Sequence, residues 1–129
     1  FTILSLLEGE AAKEAASKAK EKDLNDLDDM HLRLEKAAAD RNLDQFFEIN
    51  VRFHERIIAI ANNPWMTSVI ADLRKVLKLQ RKDSLSRSGR LQSSLSEHRE
   101  ILKALLKRDP IAAEQAMRTH LARGLEAAK

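Results

Sequence analysis

The sequence predicts an all-α protein, an antiparallel bundle of about six helices forming a single domain over residues 1–129. Three observations lead there. Two prolines and three glycines in 129 residues leave too little turn chemistry for many short strands. Alanine, leucine, lysine, arginine and glutamate dominate, and these are the residues that lose least on entering a helix. Apolar side chains recur at helical spacing in six runs separated by short breaks, and short connections between helices make antiparallel neighbours.

The first helix is expected over about Ile3–Lys20. Leu4, Leu7, Ala11, Ala15 and Ala19 mark its buried side, and their small size suits close packing. Asp23 reads as an N-cap for a second helix reaching about Asp40, with Leu24, Leu27, Met30, Leu34 and Ala38 inward. After a turn at Arg41-Asn42 the third helix begins near Leu43 or Asp44. Phe53, Ile57, Ile60 and Ala61 continue its apolar stripe, and Asn62-Asn63-Pro64 ends it, because a residue before proline leaves the α region. Pro64 suits the first position of the fourth helix, whose broad inner side reads as Trp65, Met66, Val69, Ile70, Leu73, Val76, Leu77 and Gln80, with fraying near Ser84. Residues 84–89 (SLSRSG) are a polar loop. The fifth helix covers about Arg90–Lys107, with Leu91, Leu95, His98, Ile101, Leu102 and Leu105 inward. Asp109-Pro110 starts the sixth, with Ala113, Met117, His120, Leu121 and Gly124 inward.

Composition excludes several classes. Without cysteine there is no disulfide framework and no thiolate metal site, which fits a reducing, cytoplasmic setting. No apolar run approaches the ~18 residues of a membrane span, and no signal peptide is visible. A net charge of +3 is too small to argue for nucleic acid. Eleven Lys/Arg against three acids between Arg74 and Arg108 form either a solvated face or a surface that attracts an anion. The chain opens at Phe1, apparently inside a helix already under way, and is read as a fragment or a processed chain.

The chemistry concentrates on histidines. His98 lies eleven residues before Asp109 and His120 eleven after it. At ~1.5 Å per residue both stand ~16 Å from the turn, so an antiparallel hairpin brings them level, each on an apolar stripe. Asn50 and His54, four residues apart, share one side of the third helix. Three neutral imidazoles and an amide oxygen converging in a bundle core match the donors that Zn²⁺, Ni²⁺ or a similar divalent ion accepts. The alternative is a set of hydrogen-bonded core histidines. His31, at the margin of the second helix, reads as a surface or boundary residue. A single Asp28-x-x-His31 does not make the paired Glu-x-x-His of di-iron bundles, and no nucleophile elbow or phosphate loop is present. A metal with open positions could also activate water. Glu55 and Glu97, adjoining ligand positions, point roughly 100° away from them, so a small metalloenzyme would lack a general base.

The segments LEGEAA (7–12), NVRFHERI (50–57), ANNP (61–64) and above all SEHREILKALLKRDPIAAEQAMRTHL (96–121) together resemble the C-terminal effector-binding (FCD) domain of GntR-family bacterial transcription regulators, FadR subfamily. The resemblance covers nearly the whole chain. It implies an all-helical sensor that forms a homodimer and binds a small metabolite, often a carboxylate. It further implies a divalent metal, Zn or Ni, at Asn50, His54, His98 and His120, to which the acid group of the effector is anchored. Arg74, Gln80 and Arg81 are candidates to complete the effector pocket. Two departures from the pattern stand out: Asn50 replaces the Asp of many relatives, and Leu4 stands where relatives often carry an Arg. Operator DNA would be reached only through an N-terminal winged helix-turn-helix preceding Phe1.

Overall fold

The structure, a computed structural model, describes residues 2–128; Phe1 and Lys129 lie outside them. Six α-helices follow one another: α1 (Thr2–Lys18), α2 (Glu21–Ala39), α3 (Leu43–Ala61), α4 (Pro64–Ser84), α5 (Arg90–Leu106) and α6 (Pro110–Ala128). The all-α bundle read from the sequence is the fold found. Among the described residues no helix is long and apolar enough to cross a membrane.

Helix ends follow local chemistry. Asn42 and Asn63 cap α3 and α4 by accepting the backbone N–H of Gln45 and Met66, and Asp109 accepts that of Ala112 at the start of α6. Asp23 is not the N-cap of α2. The helix starts at Glu21 after Lys20, and the Asp23 carboxylate reaches back to accept the Lys20 N–H at 2.9 Å, the third-position half of a capping box. Two hairpins share one stop. Arg41 and Arg108 take left-handed φ values of 54° and 53°, and the next residues return their N–H to Ala37 and Ala104, closing Schellman motifs.

The core is continuous from α1 to α6. Ala11, Ala12, Ala15 and Ala16 are fully enclosed, so α1 lies close on α6 and α3, its two most extensive partners. At Gly9 an added Cβ would stand 2.7 Å from Arg118 Cγ on α6, so glycine sets that approach. Phe46 and Phe53 are completely buried and place α3 centrally; burying each contributes about 1.5–3 kcal/mol. Because α3, α5 and α6 meet inside this core, residues at the middle of each face a common point.

Two readings of the sequence need correction. The inner face of α4 is narrower than expected: Met66 and Ile70 are buried and Leu73 and Leu77 half-buried, while Trp65, Val69, Val76 and Leu79 are exposed, and so is Gln80. The apolar residues of α4 form two stripes, of which only one meets the core, since α4 packs mainly on α1 and α6 and barely on α3. His31, read as a surface or boundary residue, is buried, with Nε2 3.1 Å from Glu35 Oε1 one turn along α2. Spacing along one helix gives a face, not the depth at which neighbours enclose it, and α2 packs on both α3 and α5.

Candidate metal centre

The middle of the bundle holds four of the residues singled out by the sequence. Asn50 and His54 come from one side of α3, His98 from α5 and His120 from α6, all buried. The level pairing across the α5–α6 hairpin places the His98 and His120 ring centroids 4.4 Å apart. The His54 ring stacks on that of His120 at 5.2 Å. One ring nitrogen from each histidine lies within 4.8 Å of the other two.

The orientation of each ring is fixed from behind. His54 Nδ1 donates to Glu8 Oε1 at 2.8 Å, and Glu8 in turn accepts from Arg74 at 2.6 Å. His120 Nδ1 donates to Glu97 Oε1 at 2.6 Å, and Arg90 grips Glu97 through two bonds of 2.9 Å. His98 Nδ1 donates to the Ser94 carbonyl one turn back, at 2.7 Å. A carboxylate or carbonyl can only accept, so the proton of each neutral imidazole sits on Nδ1 and the Nε2 lone pair faces inward. Carboxylate–histidine pairs of this kind are what orient and sharpen metal-ligating histidines.

Electrostatics keep these states in place. Burial alone would raise the pKa of Glu8, but Arg74 and His54 outweigh it and hold the carboxyl below its usual range. Burial, then the Arg74 charge, pushes His54 down to about 4 against the pull of Glu8. Burial and the neighbouring histidines push His98 well below its ordinary value, and burial with His54, Arg81 and Arg90 does the same to His120. All three rings are therefore neutral near pH 7.

The inward-facing atoms fit a cation. His98 Nε2 stands 3.2 Å from His54 Nε2 and 2.6 Å from Asn50 Oδ1. With every proton on Nδ1, lone pairs oppose lone pairs, an arrangement that a positive ion between them relieves. Two nitrogens bound to one ion at ~2.0–2.1 Å stand roughly 3–4 Å apart, the spacing already found for His54 and His98.

An arginine cluster borders this centre. Arg81 on α4 lines a small cavity of about 30 Å³ together with Asn50, Arg90, Ser94 and His120. Its Nη1 is buried without a hydrogen-bond partner. Burial and the charges of Arg74 and Arg90 push Arg81 down to about 10. Around the site, Arg74, Arg81 and Arg90 face Glu8 and Glu97, so the surroundings carry an excess of positive charge. Of the expected effector-pocket residues, Arg74 and Arg81 stand beside the histidines, whereas Gln80 is exposed.

Three contributors escaped the sequence reading. Glu97 was expected to point away from the ligands. It does leave His98, but toward α6, where it meets His120. Glu8 sits four residues after Leu4 and three before Ala11, a charged residue on a buried stripe, and that was the available signal. Arg90 reads in sequence only as the start of a helix; its seven-residue spacing to Glu97, two turns along one face, is the clue.

With this geometry in view, the FCD domain family matches residues 1–123. The chain belongs to the FCD domain family. This domain is the effector-binding type found in GntR-family transcription regulators. The chain is 32% identical over 120 residues to the HTH-type transcriptional repressor RspR of Escherichia coli (strain K12), a match covering 92% of this chain and 52% of that protein. It thus spans about half the length of the curated relatives it matches. Among solved structures, Streptococcus agalactiae GntR superposes with a TM-score of 0.79 at 24% identity, over 95% of this FCD domain and 54% of that chain. E. coli McbR/YncC superposes at 0.89 with 18% identity, over 98% and 64% respectively. At these identities both show the shared fold.

Proposed function

We propose that this FCD domain senses a small carboxylate at a divalent metal, Zn or Ni, held by Asn50, His54, His98 and His120, and that occupancy modulates DNA binding by an attached domain. One observation carries the reading: three imidazoles, each with its Nδ1 committed to a backing acceptor, turn unprotonated Nε2 atoms and an amide oxygen toward one point. A divalent ion bound there supplies a Lewis-acidic anchor for acid oxygens. The chain's own residues supply the rest. Glu8, Glu97 and the Ser94 carbonyl hold the rings, and Arg81, whose Nη1 lacks a partner, offers an ion pair to the acid group. The preference for an anion follows from three arginines against two carboxylates. The cavity of about 30 Å³ holds little more than one water-sized group, so binding requires it to widen, and lightly packed α4 is the element free to move. Such movement would couple the site to attached domains.

The exposed stripe of Trp65, Val69, Val76 and Leu79 on α4 supports a homodimer, because apolar rows of this size mark interaction surfaces. A role as a sensor rather than a metalloenzyme is favoured by the acids at hand. Glu8 and Glu97 are both tied to a histidine and an arginine, which leaves neither as a general base. Calorimetric titration of the metal-loaded protein with a panel of small carboxylates tests the reading. Binding that is lost in Arg81→Met and in metal-stripped protein supports it; no binding across the panel, with the metal present, counts against the acid effector.

A further inference from the structure

A second cavity lies on the outer side of Arg81. Between α3 and α4 runs a groove of about 340 Å³, within the size range of small-molecule sites. It exists because α4 turns the small side chains of Thr67 and Ala71 toward Phe47 and Val51 on α3, leaving the space between the helices unfilled. Its floor is apolar: Phe47, Ile58 and Ile70 are buried beneath it. Its rim is basic, formed by Arg74, Lys75, Lys78 and Arg81 with Glu55 as the acid among the lining residues. Arg74 is committed to Glu8. Lys75 and Lys78 make no ion pair among the described residues, and Arg81 Nη1 has no partner although it is buried.

Arg81 is also a wall of the small cavity beside Asn50 and His120, so one guanidinium faces both spaces. A buried guanidinium without a full set of acceptors is costly, and an arriving carboxylate would supply them. An uncharged apolar ligand would leave Arg81 unanswered, and a small polar acid would leave the floor of the groove uncovered. This groove lies on a different face of α4 from the exposed stripe of Trp65, Val69, Val76 and Leu79.

We infer that the effector is a monocarboxylate with an apolar tail, its acid group at Arg81 and its tail along the α3–α4 groove. The acid end rests on the proposal that Arg81 belongs to the effector subsite; the tail does not depend on the metal. The test is calorimetry with acetate, butanoate, hexanoate and octanoate, and with octan-1-ol as the uncharged counterpart, on metal-loaded and chelator-treated protein. Each added methylene is expected to tighten binding about two- to fourfold, hence about 16- to 250-fold from butanoate to octanoate. Ala71→Trp fills the groove from an exposed position and should flatten this dependence to within about twofold while retaining the metal content of the parent protein. Thr67→Trp is the second such variant, should the first lower the helical circular-dichroism signal. Arg81→Met should erase the preference for octanoate over octan-1-ol. Affinity independent of chain length, a dependence that survives both tryptophan variants, or equal binding of the alcohol by the parent would each overturn the inference. Chain-length dependence that persists after chelation would leave the groove standing and remove the metal from effector binding.

Discussion

Replacing Glu97 by alanine tests how the core tolerates its own charges. In the native protein Glu97 accepts two bonds from Arg90 and one from His120, and Arg90 is 7% exposed. The substitution leaves the guanidinium buried with its main partner gone, a change that typically costs about 3–5 kcal/mol. At roughly 2.1 cal/mol/K of unfolding entropy per residue, a chain of 129 residues loses about 4 °C of Tm per kcal/mol, so the variant should melt about 11–18 °C lower. Total stabilities of about 5–15 kcal/mol leave it folded in the cold. The pair Glu97→Met with Arg90→Met removes both charges in favour of apolar side chains and should recover most of the loss, because a buried ion pair is often no better than its hydrophobic replacement. Yet the same double variant leaves His120 Nδ1 without its acceptor, and metal affinity should stay down about 10–100-fold. Differential scanning calorimetry together with metal competition reads both quantities. A Glu97→Ala variant melting within a few degrees of the parent, or a double variant as unstable as the single, would refute the assignment of Arg90 as a buried charge held by Glu97.

Three further outcomes follow from the structure. Asn50→Asp adds a negative charge opposite His98 Nε2 and should slow loss of a bound divalent ion to a competing chelator by at least about tenfold, since a charged ligand binds harder; faster loss would mean that Asn50 does not touch the ion. Metal-free protein should weaken in acid. His54, His98 and His120 hold protons less tightly folded than unfolded, so below their ordinary value of 6.5 the unfolded chain binds more protons and stability falls as pH drops from about 6.5 toward the value near 4 reached by His54; the depressed Glu8 acts in the same direction at lower pH. Urea midpoints that stay flat over that window would contradict neutral buried rings. Finally, Arg41→Gly should stabilise by about 0.5–1 kcal/mol by easing a left-handed residue. Arg108→Gly should gain less, because Arg108 also holds the Ala19 carbonyl; equal gains would show that this bond contributes nothing.

Much of this molecule was legible in its sequence, and what was missed shares one cause. Helix number, the proline and asparagine punctuation, and the convergence of His98 with His120 are one-dimensional facts: they depend on counting residues along a helix of known pitch. Asn50 and His54 were found because their spacing and flanking apolar residues fix a face. Identifying which face meets which neighbour is a tertiary question. Thus Glu97 points away from His98, as its position predicts, but meets His120 on α6, and His31, a surface or boundary residue by its spacing, is buried. The apolar residues of α4 read in sequence as one broad face open to either core or interface, and the structure divides them: Met66, Ile70, Leu73 and Leu77 turn inward while Trp65, Val69, Val76 and Leu79 stay outside. Glu8 and Arg90 carry no motif; each is recognisable only as a charge on a stripe that must be buried, and their partners lie on other helices.

The most direct measurement is metal content, by mass spectrometry, of protein purified without a histidine tag or chelator. The expected result is about one equivalent of Zn or Ni per chain, lost in His98→Ala and in His120→Ala but kept in His31→Ala, whose ring is not one of the three converging imidazoles. Chelation should also lower the melting temperature, since an ion that binds only the folded state stabilises it. Protein that carries no metal, takes up none when it is supplied and melts unchanged in its presence would show that the inward-facing imidazoles are core residues without a ligand role.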